Sequence, residues 1–395
     1  MDINSLLAER TRGMKVSAIR EILKVVSRPG MVSLAGGIPA PASFPLDLIP
    51  GLLEQVLAKY GSFALQYDLT EGFVPLREAL SPYLARKGIQ VGPDRICTSS
   101  GSQGALDALG KILLTPGDLV AVENPTYLGA MTAFNAYGPR YIGIDTDGEG
   151  IIPEALEEIL KNNRVKFVYL VPTFQNPTGC TLSLERRPQI AEILRRYDVL
   201  AVEDDPYSEL RYRGEALPPL WTFAPERIVY LGTFSKVFAP GLRVGYYIAP
   251  PEVQNFMLRA KQGIDLNSST LGQALAAEYL GGGHLDRQLP KIIEIYRPRQ
   301  EAMLKAMTDF FPEGFSWSKP DGGMFIWAEG PKGLNTETLY QKAVEKNVAY
   351  VPGRFFFFRD DQGLNTMRLN YTMSGEAVIR EAIERLAGVI REFMR

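Results

Sequence analysis

The chain is poor in the two side chains that most often do chemistry near neutral pH. Its 395 residues include one histidine, His284, and two cysteines, Cys97 and Cys180. The cysteines lie far apart with no CxxC spacing, which argues against a structural zinc site and a disulfide framework and fits a reducing cytoplasm. His284 follows Gly281-Gly282-Gly283 in what reads as an exposed turn, so catalysis is not expected to rest on imidazole. Proton transfer then falls to another group, such as a lysine of lowered pKa. Net charge is also small, at −2, and gives no reason to expect nucleic acid or an anionic membrane as partner. No run of apolar residues approaches the ~18 needed for a membrane-spanning helix. The N-terminal MDINSLLAER is acidic within two residues and has no sustained apolar core, unlike a signal peptide. A cytoplasmic protein with no metal site is expected.

What is present is enough for sizeable cores: 46% of the residues are apolar. The length suggests a large domain with a smaller companion. Short apolar runs alternate with helical patterns between about residues 92 and 250. Arg95–Ser99, Leu119–Glu123, Arg140–Asp145, Lys166–Val171, Val199–Glu203, Arg227–Leu231 and Val244–Ile248 read as strands. Gly104–Leu114, Leu128–Ala136, Pro153–Lys161 and Pro188–Tyr197 read as helices between them. The alternation predicts an α/β fold, a mostly parallel seven-stranded sheet with helices on both faces.

The C-terminal third changes character. A long helix is expected around Leu289–Thr308, then strands at Phe315–Ser318, Met324–Ala328, Ala349–Val351 and Thr366–Tyr371. The closing helix would present Val378, Ile379, Ala382, Ile383, Leu386, Val389, Ile390 and Phe393 on its apolar face. Residues 51–285 are therefore read as the large domain and 286–395 as a smaller α+β domain, joined by residues 1–50. The four aromatics Phe355–Phe358 are assigned to core or interface packing.

Ligands of open parallel sheets bind beyond the carboxyl ends of the strands. Four polar segments follow the predicted strands there. Ser100-Gly101-Ser102-Gln103 opens a helix whose free N–H groups would suit a phosphate. Phe174-Gln175-Asn176-Pro177-Thr178-Gly179 offers an amide, and Asp204-Asp205-Pro206-Tyr207 a carboxylate with a tyrosine. The fourth is Thr233-Phe234-Ser235-Lys236, with Arg243 seven residues after the lysine. A lysine amine condenses with an aldehyde, which is the chemistry of pyridoxal phosphate (PLP), and nearby hydroxyls and an arginine would hold the phosphate.

With these segments on the page, the chain resembles the fold-type I, aspartate-aminotransferase-like superfamily of PLP enzymes over nearly its whole length. It is most similar to the subgroup of 2-aminoadipate, kynurenine and aromatic aminotransferases. Ser33-Leu34-Ala35-Gly36-Gly37-Ile38-Pro39, Leu65-Gln66-Tyr67 and Gly241-Leu242-Arg243 carry the likeness together with the four segments above.

The resemblance implies roles. Lys236 would hold PLP covalently and then act as general base, a contribution on the order of 10²–10⁴-fold. Asp204 would pair with the pyridine nitrogen and keep it protonated. Asn176 and Tyr207 would bond the phenolic oxygen, and Tyr127 would stack on the ring. The phosphate would lie among Ser100, Gly101, Ser102, Gln103, Thr233, Ser235 and Arg243. Tyr67 would reach toward it from the partner subunit of a homodimer with shared active sites. Arg368 would bind the substrate α-carboxylate as a guanidinium fork, with the backbone of Gly36 and Gly37 close by.

Arg20, in a short N-terminal helix, would read a distal carboxylate or lie in solvent; both remain open. The stretch Gln262–Thr270 contains no arginine, which speaks against the aspartate-specific branch. The expected reaction is ping-pong transfer of an amino group, 2-aminoadipate first among the donors and aromatic amino acids or kynurenine next, with 2-oxoglutarate as acceptor. A β-lyase or decarboxylase on the same fold is the catalytic alternative. A regulator carrying an N-terminal helix-turn-helix is a weaker alternative, because the Ala35-Gly36-Gly37 segment comes so early.

Overall fold

The computed structural model describes residues 3–14, 28 and 30–394. Its centre is a seven-stranded sheet: β1 Cys97–Ser100, β2 Leu119–Glu123, β3 Arg140–Ile144, β4 Val165–Leu170, β5 Leu200–Asp205, β6 Ile228–Thr233 and β7 Val244–Ile248. The spatial order is β1-β7-β6-β5-β4-β2-β3. Only β7 runs antiparallel, and it does so to both neighbours. Strands such as Ile228–Leu231 are buried on both faces, which is why they read as unbroken apolar runs rather than alternations.

Helices cover the sheet by their apolar faces. Gly101–Leu113 buries Ala105, Leu106, Ala108 and Leu109, and Arg186–Arg196 buries Ile190, Ala191, Ile193 and Leu194. The first of these starts three residues earlier than expected, directly after β1. That start puts the N–H groups of Gly101, Ser102 and Gln103 in an open first turn.

A second sheet lies in the C-terminal part of the chain. A four-stranded antiparallel sheet runs in the order Ser316–Trp317, Phe325–Glu329, Thr366–Asn370, Val351–Pro352. The expected strand Ala349–Val351 is divided, because its halves have different partners. Val348–Ala349 pairs in parallel with Val32–Ser33 of the N-terminal segment, and Val351–Pro352 pairs with Arg368 and Met367. Leu34 then donates to Ala349 O and accepts from Asn370 N. The N-terminal segment is thereby stitched into the C-terminal part, leading Ala35-Gly36-Gly37 past Arg368.

Three details depart from the sequence reading. The long helix spans His284–Phe310 rather than starting at Leu289; Pro290 resembles a first-turn proline but lies inside it. His284 consequently begins a helix, half-buried, with its ring stacked on Tyr279, not in a solvated turn. In the closing helix Glu376–Phe393, Val378 is 41% exposed while Ile379, Ala382, Ile383, Leu386, Val389 and Ile390 are buried. Val378 sits in the first turn, beyond the edge of the packed stripe.

Candidate active site

The carboxyl ends of the parallel strands and the start of the reversed strand meet at one rim. Lys236 follows β6, Asp204 ends β5, and Asn176 lies in the turn after β4. Tyr127 caps the helix Leu128–Asn135 after β2. Arg243, left-handed at φ 54°, immediately precedes β7. With Ser102, Gln103, Tyr207, Thr233, Ser235 and Arg368 these residues line one cavity of about 340 Å³, within the ordinary range for a small-molecule site.

Two groups on the rim are held away from their usual protonation states. The Lys236 amine donates to Gly37 O at 2.9 Å. Burial, and then the positive charges of Arg368 and Arg243, push its pKa down to about 8. An amine so placed yields a neutral nucleophile and base far more readily than a solvated lysine. Asp204 is 2% exposed, and burial pushes its carboxyl up to about 7. Tyr169 O–H donates to Oδ2 at 2.9 Å, and Oδ1 has no partner among the described residues. A buried carboxylate oxygen left without a donor is costly, so this one is set for a donor that arrives in the cavity.

Arg368 is 1% exposed. Its guanidinium lies 4.3 Å from the Phe325 ring centroid and 4.9 Å from that of Phe356. It donates to Asn176 Oδ1 at 2.8 Å and Ala35 O at 2.6 Å, both neutral acceptors. No carboxylate faces it among the described residues, and burial pushes its pKa down to about 10. A buried cation without a counter-charge is expensive to maintain; an incoming carboxylate supplies what is missing. Asn176 also donates to Tyr207 O–H at 3.3 Å, so one amide ties arginine and tyrosine together.

Gly101 and Arg243 frame the anion cradle. Gly101 has φ +67°, and a Cβ there would come within 2.6 Å of the Arg243 guanidinium, so only glycine leaves the cradle open. Arg243 donates to Ser100 O at 3.2 Å, and Thr233 Oγ1 to Ser235 Oγ at 3.0 Å. The Ser100 hydroxyl is turned away and bonds Asp265 at 3.0 Å. Gly36 is buried, while Gly37 contributes its carbonyl to Lys236. Tyr67 stands apart, 78% exposed and not on the cavity wall. Arg20 lies outside the described residues.

Sequence reading missed Tyr169, hidden in an apolar strand with nothing to mark its hydroxyl. It also gave no role to Phe325 or Gln175. Phe356 comes from the four-aromatic run assigned to packing; it packs against the Arg368 guanidinium. Both prolyl bonds flanking the site, Asn124-Pro125 and Asn176-Pro177, are cis.

The fold and rim define an α/β enzyme with a lysine, a carboxylate and an anion cradle around one cavity, and comparison with known proteins gives the family. The model of aminotransferase class I and II matches residues 53–386, and the chain belongs to that family. It is 47% identical to aromatic-amino-acid aminotransferase 1 of Thermococcus litoralis, over 100% of this chain and 96% of that protein. With the 2-aminoadipate transaminase of Thermus thermophilus it shares 42% identity, over 96% and 94%. The crystal structure of a Pyrococcus horikoshii kynurenine aminotransferase, in complex with PMP, KYN and KYA, superposes with a TM-score of 0.96. That structure is 45% identical and covers 100% of this chain and 99% of its own. The protein is a PLP-dependent transaminase. Its residues fit that cofactor: Asp204 Oδ1, without a partner among the described residues, suits a protonated ring nitrogen, and the Gly101–Arg243 cradle suits a phosphate.

Proposed function

We propose that the enzyme transfers the amino group of L-2-aminoadipate, and of aromatic amino acids or kynurenine, to 2-oxoglutarate in a ping-pong cycle. The observation that carries an amino-acid substrate is Arg368, a buried guanidinium on the cavity wall that faces no carboxylate among the described residues. The choice among amino acids rests on the relatives named above.

When bound, PLP supplies an aldehyde for the amine and a ring that accepts electrons from the substrate α-carbon. The protein's side chains do the rest. Arg368 fixes the substrate carboxylate and so the orientation of the α-carbon. Lys236 Nζ would take up the substrate α-proton and hold it for return. Asp204 Oδ1 would accept from the ring N–H, Asn176 and Tyr207 would hold the phenolic oxygen, and Tyr127 would lie against the ring. Gly101, Ser102, Gln103, Thr233, Ser235 and Arg243 would hold the phosphate; Ser100 supports Arg243 through its carbonyl, while its hydroxyl is bonded to Asp265. We assign the protein to a homodimer in which Tyr67 serves the partner's phosphate site. The exposure of Tyr67 beside Phe63, Leu65 and Leu69 supports this, as an apolar patch in need of cover.

Single-turnover absorbance scans of the yellow enzyme test the reading. L-2-aminoadipate, L-kynurenine, L-phenylalanine, L-glutamate and L-aspartate are mixed with it separately. Loss of the visible band, restored by 2-oxoglutarate, is the expected result, with aspartate slowest. A band that persists while pyruvate, ammonia or carbon dioxide accumulates would point to lyase or decarboxylase chemistry. Arg20→Ala is expected to raise KM for glutamate much more than for phenylalanine; equal effects would remove Arg20 from substrate recognition.

A further inference from the structure

Gln175 precedes Asn176 and does not line the active-site cavity. It is 3% exposed, and every polar atom of its amide is used. Nε2 donates to Pro125 O at 2.8 Å and to Glu123 Oε2 at 3.4 Å. Oε1 accepts from Thr178 N at 2.8 Å and Thr178 Oγ1 at 2.6 Å. This is the full capacity of a primary amide, two donors and two lone pairs. The backbone of Gln175 is pinned as well, by Cys180 O and Gly179 N. Glu123 in turn accepts from Val171 N at 2.9 Å, at the end of β4.

These bonds join two different loops. Pro125 belongs to the turn after β2, which delivers Tyr127. Thr178 belongs to the turn after β4, which delivers Asn176. Asn176 then holds Arg368 at 2.8 Å, so any movement of its turn reaches the carboxylate-binding arginine. The connection runs through buried, directional contacts, and among the described residues no other side-chain hydrogen bond links the two turns so directly.

We propose that Gln175 is a positioning residue: its amide clamps the Tyr127 turn to the Asn176 turn and so sets both the cofactor face and the orientation of Arg368. The inference rests on the reading of this cavity as the PLP site. Methionine is nearly isosteric with glutamine but leaves Pro125 O and Thr178 N without partners, freeing the turns to separate. A residue that merely stabilised the fold would lower the melting temperature and leave cofactor and substrate binding in proportion.

The test is a pair of double-mutant cycles, Gln175→Met with Asn176→Ala and Gln175→Met with Tyr127→Leu. PLP affinity of the apo-enzyme is measured by equilibrium titration, with KM and kcat of the loaded enzyme and the apo-protein melting temperature alongside. Gln175→Met alone is expected to weaken PLP binding about tenfold, the scale of one buried hydrogen-bonding group left unsatisfied, and to raise KM for the amino acid more than it lowers kcat. In at least one of the two backgrounds its penalty shrinks to about threefold or less, because the contact it positions is already gone. Additive penalties in both cycles, or a lower melting temperature with unchanged PLP affinity and KM, would overturn the proposal. Should Gln175→Met not fold, Thr178→Val removes one donor to the same amide and is expected to weaken PLP binding about threefold; no change would overturn it equally. A wild-type apo-enzyme that takes up no PLP would overturn the site reading and the clamp together.

Discussion

Asp204→Asn should stabilise the empty protein while damaging the loaded one, and the size of the effect follows from the carboxyl's surroundings. Burial pushes Asp204 from 3.8 up to about 7. A group whose pKa is raised on folding contributes stability that is fully present below its unfolded pKa. That stability is lost as pH climbs toward the folded value. Wild-type apo-protein therefore loses about 1.4 kcal/mol for each pH unit between ~4 and ~7, about 4 kcal/mol in all. Asparagine does not titrate, and its carbonyl can still accept from Tyr169. In urea denaturation of the apo-proteins, the variant's advantage should grow from about 2 kcal/mol at pH 5 to about 4 kcal/mol at pH 7, then level off. PLP affinity should move the other way, because Oδ1 is where a ring N–H would be received. An advantage that stays flat from pH 5 to 8, or a variant less stable than wild type at pH 8, would refute the reasoning.

Two further outcomes are specific. Arg368→Lys replaces a fork that reaches Asn176 and Ala35 with a point charge, and should raise KM for the amino acid by roughly 10–100-fold with a smaller fall in kcat; steady-state kinetics decide it. Lys87→Met removes the ammonium 2.7 Å from Asp205, a buried carboxylate also held by Tyr230 and Ser208. Stability should drop by about 3–5 kcal/mol in urea denaturation, and Asp205→Asn on top should recover part of it.

Much of this architecture was legible because parallel strands buried on both faces announce themselves as apolar runs, and their polar followers land at one rim. Lys236, Asp204, Asn176, Ser102, Gln103, Tyr207 and Arg243 could be picked out one strand end at a time, while Tyr127 came only with the family resemblance. What stayed hidden was pairwise and long-range. Nothing in Val165–Leu170 marks Tyr169 as the donor to a residue 35 positions later. The Ala349–Val351 run gives no hint that two neighbouring pairs of residues serve different sheets. The long helix begins at His284 rather than Leu289 because Leu285 and Gln288 are buried there, Gln288 donating to Ser43 O far away in the chain. The Phe355–Phe358 run was ambiguous for a related reason: a ring that packs on a guanidinium reads the same as one that packs on leucine.

The reversal of β7 has a consequence for how the enzyme is assembled. Because β6 and β7 form a hairpin with Gly245 opposite Thr233, Thr233, Ser235, Lys236 and Arg243 belong to one short closed loop. Its closure costs far less chain entropy than bringing together Gly101, Asn176 and Arg368. Nucleophile and cation thus come as a prefabricated pair whose mutual geometry is fixed by local register. The long-range contacts have only to dock the other walls against it. A chain that shuffled or replaced its outer elements would carry this pair along unchanged.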